Sequence, residues 1–465
     1  MLFSSITFLY YFLPAMLLVY FIAPKDFRNA VLVLFSLLFY AWGEPKYVFL
    51  MTGTIFAGYF AGLIIGRYRG SKFGKITYLL ALFVCLFLLA YFKYADFFIK
   101  SFSDATGLSV KLLNIALPIG ISFYTFQLIS YIIDVYRGDV EAQKDPVKLF
   151  AYISMFPQLI AGPIVRYRDI EKTLSERGVS FDSVREGIIR FAMGLGKKVI
   201  IANQLAGLCD IVKTTDNNSV LFMWTYAVAA ALHIYFDFSG YSDMAIGLGK
   251  ILGFTFPENF DYPYISGTIT EFWRRWHMTL GSWFRDYVYI PMGGSRVGKV
   301  RLIFNLFIVW MLTGLWHGAA WNFVLWGLLF AVLLILEKLF FYKSIDKTRV
   351  FKHIYVIFIV LISFVIFSGD SLSQIGTQLL DMFGFGGLPL VSEVTIYYLR
   401  SYMVIILLGI LGATPLVKRL YKWVKGKAPI ALVGVLEPIV VIGILLLSTA
   451  YLVDGSFNPF LYFRF

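Results

Sequence analysis

The sequence predicts an all-α protein that crosses a lipid bilayer many times. Three observations on composition and one on pattern lead to this fold class. Hydrophobic residues make up 59% of the 465 residues and charged residues 15%, and the mean hydropathy is +0.76. Soluble domains are about 45–50% apolar and about 25% charged. The apolar residues also recur as separate runs, many of them near the roughly 20 residues that a helix needs to cross the hydrocarbon layer.

These runs are expected to be helices, because backbone groups in lipid must pair within their own segment. We predict about 11–13 membrane helices, including re-entrant or interfacial segments. The candidate ranges are 2–23, 29–43, 47–66, 76–95, 112–135, 147–163, 187–209, 219–250, 302–316, 319–340, 353–369, 396–413 and 430–453. The range 187–209 contains Lys197 and Lys198, which favours a re-entrant or interfacial position. No repeat or linker divides the chain, so residues 1–465 are predicted to form a single membrane-embedded domain.

The formal net charge of +13 arises from Lys and Arg residues in short loops between apolar runs. The positive-inside rule explains this pattern and places the loops 67–75, 343–352 and 418–427 on the cytoplasmic side. The loop 370–395 contains acidic residues and no Lys or Arg, so it is expected on the other side. No basic face with stacking aromatic residues is left over, which argues against nucleic-acid binding. Cys85 and Cys209 lie far apart and form no disulfide or metal-binding pattern.

The longest stretch outside the candidate spans, 254–301, contains an aromatic and arginine-rich segment at 271–290. On a helix, Phe272, Trp276 and Trp283 fall near one face, and the arginines leave that face. The segment therefore reads as an amphipathic helix in the membrane interface, with its arginines toward headgroups or an anionic ligand. A helix that only anchors the loop is the alternative reading.

Of the four histidines, His317 has the most informative context. It lies between apolar helical runs, where ionisable residues are costly and usually face a cavity or a partner. Burial disfavours the charged form of an imidazole, and a neutral imidazole is what a general base needs. Gly314 and Gly318 are expected to thin the wall so that a substrate can approach. The alternative is a buried histidine that bonds a neighbouring helix. His277 gains a catalytic interpretation only if the fold brings it near His317.

The segment 233–244 places two carboxylates and three hydroxyl groups in an apolar stretch. Asp237, with Asp243, is expected to pair with Arg274 or Arg275, because buried carboxylates need partners. The alternative is that such side chains line a polar tunnel. Structural support is the favoured interpretation.

Several long motifs occur in one order along nearly the whole chain: 117–126 (LPIGISFYTF), 156–166 (FPQLIAGPIVR), 235–245 (YFDFSGYSDMA), 272–277 (FWRRWH), 283–294 (WFRDYVYIPMGG), 314–318 (GLWHG) and 455–465 (GSFNPFLYFRF). In these motifs the chain resembles the membrane-bound O-acyltransferase (MBOAT) superfamily. The most similar branch is the membrane subunit of alginate and other polysaccharide O-acetylation, and the teichoic acid D-alanyl transferases are more distant.

The resemblance implies a ring of tilted helices around a central funnel or tunnel. It places the family's catalytic histidine on His317 and its second motif residue on His277. It further implies a multi-pass protein of the bacterial inner membrane. Such a protein passes acetyl groups from a cytoplasmic donor, acetyl-CoA or another acyl thioester, to an extracytoplasmic acetyltransferase-like partner protein that modifies a polysaccharide such as alginate. No bound cofactor and no metal are implied.

The physical interpretation of the residues and the family resemblance both indicate transfer of an acyl group from a thioester to a hydroxyl group. His317 is expected to take the hydroxyl proton or to accept the acyl group itself. Asn322, Trp316 or a backbone amide near Gly318 would stabilise the oxyanion. Tunnel-lining roles are assigned to Asp237, Ser239 and Tyr241, and donor-phosphate roles to Arg274, Arg275, Lys197 and Lys198.

Two other classes remain open from the sequence. A transporter or flippase without covalent chemistry would also have buried carboxylates and an arginine-rich mouth, but the inverted repeats that would favour it are absent. A membrane scaffold that only recruits an extracytoplasmic enzyme is the second. An altered His317 that abolishes modification but not assembly would argue against the scaffold.

Overall fold

The computed structural model describes residues 1–341, 345, 347–455 and 460, and only the backbone at Ile430. Lys343 and Asp346 of the loop predicted to be cytoplasmic, and residues 456–459 and 461–465 of the tail motif, lie outside the described residues. Among the described residues the regular structure is helical, apart from one isolated antiparallel bridge between Phe260 and Trp276. The predicted all-helical membrane fold is therefore confirmed.

Twenty α-helices are numbered here in chain order over the described residues. They are α1 (Leu13–Ile22), α2 (Arg28–Gly43), α3 (Tyr47–Arg67), α4 (Lys72–Thr106), α5 (Ile121–Arg137), α6 (Pro146–Ser154), α7 (Phe156–Leu159), α8 (Tyr167–Ser175), α9 (Phe181–Gly196), α10 (Asn203–Thr214), α11 (Val220–Ile251), α12 (Ile269–Arg275), α13 (Met278–Phe284), α14 (Lys299–His317), α15 (Trp321–Leu336), α16 (Phe351–Ser368), α17 (Leu372–Met382), α18 (Glu393–Gly412), α19 (Leu416–Lys427) and α20 (Ile430–Asp454). Short π-helical segments cover Phe8–Phe12, Lys197–Ala202, Arg285–Tyr289 and Glu337–Phe341, and 3-10 turns cover Lys25–Phe27 and Pro263–Ile265.

Eight helices within the described part of the chain are long and apolar enough to cross a membrane. They are Tyr47–Arg67, Lys72–Thr106, Val220–Ile251, Lys299–His317, Trp321–Phe341, Phe351–Ser368, Glu393–Gly412 and Ala431–Asp454. Each matches one of the predicted ranges. Side-chain caps begin several helices, as at Ser71, whose hydroxyl accepts from the backbone N–H of Gly74 at 3.0 Å.

Other predicted ranges take different forms. The helix predicted over 112–135 begins only at Ile121, and most of α5 is buried within the protein. The range 147–163 is divided between α6 and α7, because Met155 takes an extended conformation and Pro157 follows. The range 187–209 is one helical run with a π-helical turn at Lys197–Ala202. The difference arises because apolar composition alone does not separate a helix facing lipid from one surrounded by protein.

The chain falls into two compact units. The first contains residues 1–191 and 244–257. At its centre α5 packs against α3 and α4. Gly58 and Gly62 of α3 make this possible, since a Cβ at either position would lie within 3.0 Å of the side chain of Leu128 or Tyr131 on α5. Two glycines one helical turn apart thus let the helices approach closely.

The second unit contains residues 192–243 and 258–465. Its core joins α10, α11, α12, α15 and α16. Aromatic rings fill much of this core. Trp273 packs edge-on against Trp310 at a ring-centroid distance of 4.6 Å and against Phe330 at 4.8 Å. The large rings bury apolar area and hold α12 against α14 and α15.

Candidate active site

His317 is the last residue of α14, and its side chain is only 3% exposed. Three aromatic rings surround its imidazole edge-on. The ring centroids of Trp316, Trp326 and Phe367 lie 5.1, 5.0 and 5.3 Å from that of His317. The imidazole therefore lies in a buried aromatic chamber within the second unit, where its polar interactions are weakly screened.

The glycines beside His317 have a different role from the one predicted. A Cβ at Gly314 would lie 2.4 Å from the backbone oxygen of Phe323 and 3.2 Å from the Cα of Gly327. A Cβ at Gly318 would lie 2.1 Å from the ring of Phe323. At both glycines the space that a side chain would need is thus already occupied by α15. The expectation that they open a path for substrate is wrong, and their small size instead permits close packing of α14 and α15.

His277 lies at a break in the helix that the sequence predicted over 271–290. α12 ends at Arg275, Trp276 is extended, and His277 has φ of 45° and ψ of 52°. This left-handed conformation is uncommon for a residue other than glycine and is found preferentially at functional sites. The prediction of one continuous helix is therefore wrong. Periodicity missed the break because aromatic residues continue through it.

The aromatic face of this segment packs on protein. Phe272, Trp276 and Trp283 are 0%, 3% and 5% exposed. The ring of Trp276 lies 5.5 Å from that of Phe272 and 5.1 Å from that of Phe260. The predicted interfacial position, with these rings in the acyl boundary, is therefore wrong. The rings have instead become part of the core of the second unit.

Asn259, in the loop before α12, fixes the orientation of the His277 ring. Its Oδ1 accepts hydrogen bonds from the backbone N–H of Thr279 at 3.3 Å and from the Thr279 hydroxyl at 2.8 Å, and its Nδ2 donates to Ser242 Oγ at 3.1 Å. Because a backbone N–H can only donate, the atom facing Thr279 must be the oxygen. His277 Nδ1 lies 3.1 Å from this same oxygen, so it carries the proton. In the neutral ring the lone pair is then on Nε2.

The fold brings the two histidines together across one indole. The ring centroid of Trp316 lies 5.6 Å from that of His277 and 5.1 Å from that of His317. Burial lowers the pKa of His277 well below its usual value of 6.5, and a positive charge on His317 would lower the pKa further. His277 is therefore neutral near physiological pH, and the condition set for its catalytic interpretation is met.

A cavity of about 920 Å³ in the second unit reaches His277, whereas His317 is not among the residues that line it. His277, Trp276 and Trp310 form part of its buried wall. Three exposed cations also line it: Arg274, Arg285 and Lys338. The cavity thus runs from a positively charged opening to a neutral histidine in an aromatic interior.

Known proteins match this chain over most of its length. Residues 143–375 match the family model described as MBOAT, the membrane-bound O-acyltransferase family. The chain is 42% identical over 392 residues to the probable alginate O-acetylase AlgI of Pseudomonas syringae pv. tomato, covering 83% of this chain and 76% of that protein. It is 38% identical to the probable alginate O-acetylase AlgI of Pseudomonas putida, with both chains covered completely, and 34% identical to the peptidoglycan O-acetyltransferase of Helicobacter pylori, with 73% and 70% covered.

The chain belongs to the membrane-bound O-acyltransferase family. The resemblance seen in the motifs is thereby confirmed. The protein is an O-acyltransferase held in a membrane by several helices.

Of the cations assigned to the donor of this acyltransferase, Arg274 alone lines the cavity. Arg275 instead makes ion pairs with Asp261 at 3.1 Å and with Glu271 at 2.9 Å.

Lys198 and Lys197 pair with Asp237 at 2.5 Å and with Asp243 at 2.6 Å. Lys198 is completely buried. Both lysines are thus engaged by carboxylates of α11 and neither lines the 920 Å³ cavity, so their assignment to donor phosphates stays a prediction without structural support.

The polar residues of α11 support the acyltransferase fold. The partner of Asp237 is Lys198, so the predicted pairing with Arg274 or Arg275 is wrong. Ser239 is buried, and the ring of Tyr241 packs edge-on against Phe460 at 4.8 Å. None of these three side chains lines the 920 Å³ cavity. Structural support, the favoured interpretation, describes their positions better than tunnel lining.

Asn322, which the sequence analysis assigned to stabilising the oxyanion, makes a hydrogen bond that joins two helices. Its Nδ2 donates to the backbone oxygen of Phe367 at 3.0 Å, which ties the start of α15 to the end of α16. This bond holds Phe367 where its ring contacts His317. Asn322 therefore acts on the imidazole chamber indirectly.

Sequence reasoning missed Asn259 and Lys338 as site residues. Asn259 follows Pro257 in a loop, and only the three-dimensional fold reveals that its side chain meets His277. Lys338 follows a long apolar run, and no local pattern separates it from the charges that commonly flank membrane helices. Among the described residues no group of three His, Cys, Asp or Glu side chains is arranged to hold a metal ion.

Proposed function

We propose that this acyltransferase takes an acetyl group from a cytoplasmic thioester, acetyl-CoA, and transfers it for O-acetylation of a polysaccharide outside the cytoplasmic membrane. The observation that carries the proposal is the cavity that leads from three exposed cations to His277, beside His317. The proposal further includes an acetyltransferase-like partner protein on the extracytoplasmic side. Alginate and peptidoglycan in the names of the relatives indicate a carbohydrate hydroxyl as the final acceptor.

The cavity fits the parts of an acyl thioester donor. Phosphate groups would bind Arg274 and Lys338 at the opening, because charge-assisted hydrogen bonds to cationic side chains favour phosphate. Arg285 is ion-paired with Asp286 at 2.7 Å and would contribute only its charge. The thioester arm would extend along the aromatic wall toward His277. Lys338 precedes the basic loop 343–352 that is predicted to be cytoplasmic, so the opening would face the cytoplasmic donor.

His317 supplies the proton transfer in this proposal. Its imidazole takes the proton of the attacking hydroxyl group while the hydroxyl oxygen bonds to the thioester carbonyl carbon. The carbon–sulfur bond then breaks, and the imidazolium returns the proton to the departing thiolate. The products are an ester and a thiol, and His317 is again neutral. In a two-step form, the imidazole accepts the acyl group first and passes it on.

Trp326 is a candidate donor to the oxyanion. Its side chain is 1% exposed, and within the described part of the chain its indole N–H meets no hydrogen-bond acceptor. Leaving a buried donor unsatisfied costs free energy, which a substrate oxygen would recover. The Trp326 ring lies 5.0 Å from that of His317, so this N–H is close to the proposed reaction centre. Trp316 remains a second candidate for the same role.

The proposal is tested with purified protein in proteoliposomes that contain labelled acetyl-CoA on one side and an acetylatable polysaccharide, with the partner protein, on the other. Transfer predicts labelled O-acetyl ester on the acceptor and free thiol in equal amounts. Intact acetyl-CoA on the acceptor side, without thiol release, would indicate a transporter. An unchanged ester yield when His317→Ala replaces the unaltered protein would indicate a scaffold.

The donor site is tested by a matched pair of arginine substitutions. Arg274→Gln is expected to raise the KM for acetyl-CoA roughly tenfold, since it removes one charge-assisted contact with phosphate. Arg275→Gln removes the same charge one residue away, outside the cavity, and should leave KM within about twofold. An unchanged KM for Arg274→Gln would remove Arg274 from the donor site.

A further inference from the structure

The first unit contains a second cavity, of about 800 Å³, that the proposed acyl transfer does not use. It lies where the chain passes from α1 to α2 and where α8 ends. Four cations line it: Lys25, Arg28, Lys148 and Arg177. We propose that this cavity binds a phosphate ester and that the guanidinium groups of Arg28 and Arg177 hold its phosphate.

No described carboxylate neutralises either guanidinium group. Across the described residues the Arg28 side chain makes no hydrogen bond or ion pair, and its guanidinium carbon lies 5.3 Å from the ring centroid of Tyr20. Arg177 donates to the side-chain oxygen of Asn29 and also makes no ion pair with a described residue. Two cations that share a cavity and have no carboxylate partner among the described residues form a candidate binding site for an anion.

Three carboxylates line the same cavity but make no ion pair with the two arginines among the described residues. Asp145 accepts from the backbone N–H of Val147 at 2.9 Å and so caps α6. Asp26 and Glu176 are exposed. None of the three makes a described ion pair with Arg28 or Arg177 within 4.0 Å. The positive charge of the pair is therefore available to a ligand.

One buried ring positions both arginines. Tyr20 is fully buried, and its hydroxyl donates to the backbone oxygen of Leu252 at 2.7 Å. The guanidinium carbon of Arg177 lies 5.9 Å from the centroid of Tyr20 and 4.7 Å from that of Phe254. Arg28 lies against the same Tyr20 ring. Cation–π contacts thus hold the two charges near each other before any ligand binds.

Asn29 adds a second restraint. Its Nδ2 donates to the backbone oxygen of Leu174 at 2.9 Å, so its Oδ1 must be the atom that faces Arg177. Burial lowers the pKa of Arg177, and the charge of Arg28 also lowers it, whereas Tyr20 raises it. An anion between the arginines would relieve this repulsion. The planar guanidinium fork matches the oxygen geometry of phosphate.

The place of the cavity in the chain indicates where such a ligand comes from. It lies between the apolar segment Phe8–Ile22 and the start of α2, so it is next to a helix whose composition suits a lipid environment. The loop 67–75 at the end of α3 is predicted to be cytoplasmic, which puts the start of α2 on the cytoplasmic side as well. A phosphate ester reaches this position either as the headgroup of a phospholipid or as a soluble cytoplasmic compound.

The test measures binding of three probes to the full-length protein in detergent: short-chain phosphatidylglycerol, glycerol 3-phosphate, and the matching diacylglycerol, which has no phosphate. Arg28→Gln and Arg177→Gln are each expected to weaken binding of the phosphate-bearing probe roughly tenfold. Arg67→Gln is the matched control, because Arg67 is exposed, stacks on Tyr68 at 5.8 Å and lies outside the cavity. Its affinity should equal that of the unaltered protein.

The probes distinguish the two sources. Binding of phosphatidylglycerol but not glycerol 3-phosphate identifies a lipid headgroup, and tight binding of glycerol 3-phosphate identifies a soluble ester. Arg28→Lys and Arg177→Lys keep the positive charge but lose the planar guanidinium group. They are therefore less prone to unfold than the glutamine variants, and they should still bind the phosphate-bearing probe more weakly than the unaltered protein. Equal binding of diacylglycerol, equal affinity in the glutamine variants, or no binding of either phosphate probe would overturn the proposal.

Discussion

At the scale of single residues, Asn259 fixes the tautomer and the orientation of the buried imidazole of His277. Asn259 Oδ1 accepts from His277 Nδ1 and from two groups of Thr279. Asn259 touches no reacting atom in the proposed chemistry, so it is a positioning residue. It acts by keeping the lone pair of the neutral imidazole on Nε2.

Asn259→Ala is expected to lower kcat for acyl transfer at least tenfold, because the ring of His277 loses the acceptor that sets its tautomer and orientation. The KM for acetyl-CoA should change by no more than about twofold, since Asn259 does not line the donor cavity. Steady-state kinetics of purified protein check the split. A rise in KM at constant kcat would show that Asn259 shapes donor binding instead.

His277 also gives the folded protein a defined response to acid. Its pKa in the folded state is lowered well below 6.5 by burial, so the unfolded chain takes up the proton first as pH falls. Stability is therefore lost as pH falls through the unfolded-state value, by at most about 1.4 kcal/mol per pH unit. The thermal midpoint should fall more between about pH 7.5 and about pH 5.5 in the unaltered protein than in His277→Asn.

The asparagine keeps a donor for Asn259, and His353→Asn serves as the control, because His353 is exposed. Identical acid dependence in the unaltered protein and in His277→Asn would contradict the burial of a neutral His277.

At the scale of elements, α14 and α15 place His317, and Gly314 sets their separation. A Cβ at Gly314 would lie 2.4 Å from the backbone oxygen of Phe323, which cannot turn aside as a side chain can. Gly314→Ala should therefore destabilise the protein by about 1–3 kcal/mol. Gly53→Ala, where the new Cβ meets nothing within 4 Å, should be neutral or slightly stabilising. Thermal unfolding in detergent that gave both variants equal stability would refute the close packing.

A buried ion pair joins the π-helical turn at Lys197–Ala202 to α11. Lys198 and Asp237 lie 2.5 Å apart and are 0% and 1% exposed. Lys198→Met leaves the Asp237 carboxylate without its partner and should cost about 3–5 kcal/mol. Lys198→Met combined with Asp237→Leu should recover most of that loss. Folded yield and unfolding midpoint measure both, and a double variant as unstable as the single one would contradict the pairing.

These elements show why the sequence predicted helices better than their surroundings. Long apolar runs such as α4 and α20 were predicted correctly, because composition and length decide that a segment can span a membrane. The break at His277 and the burial of α5 depend on contacts with residues far along the chain. Lys197 and Lys198 favoured a re-entrant or interfacial segment, but their acidic partners lie on α11 more than 35 residues later. No local pattern encodes such pairings.

At the scale of the whole molecule, the family motifs identified the enzyme class. The spacing of residues along the sequence could not predict which of them come together in the site. His317 was singled out by its place in an apolar helix, and His277 by its motif. Their meeting at Trp316 required the fold. Arg274 and Arg275 are equivalent in the sequence, yet only Arg274 lines the cavity, because one residue of helix rotates a side chain by about 100°.

The most direct test of the account is single-turnover transfer of labelled acetyl from acetyl-CoA to the hydroxyl acceptor, with the unaltered protein, His317→Ala and His353→Ala compared in nanodiscs. We expect His317→Ala to lower the rate of acetyl transfer by at least about 100-fold, the range for loss of a general base or nucleophile. His353→Ala should transfer acetyl at the rate of the unaltered protein. Equal rates for His317→Ala and the unaltered protein, with both correctly folded, would contradict the central claim and make His317 a packing residue.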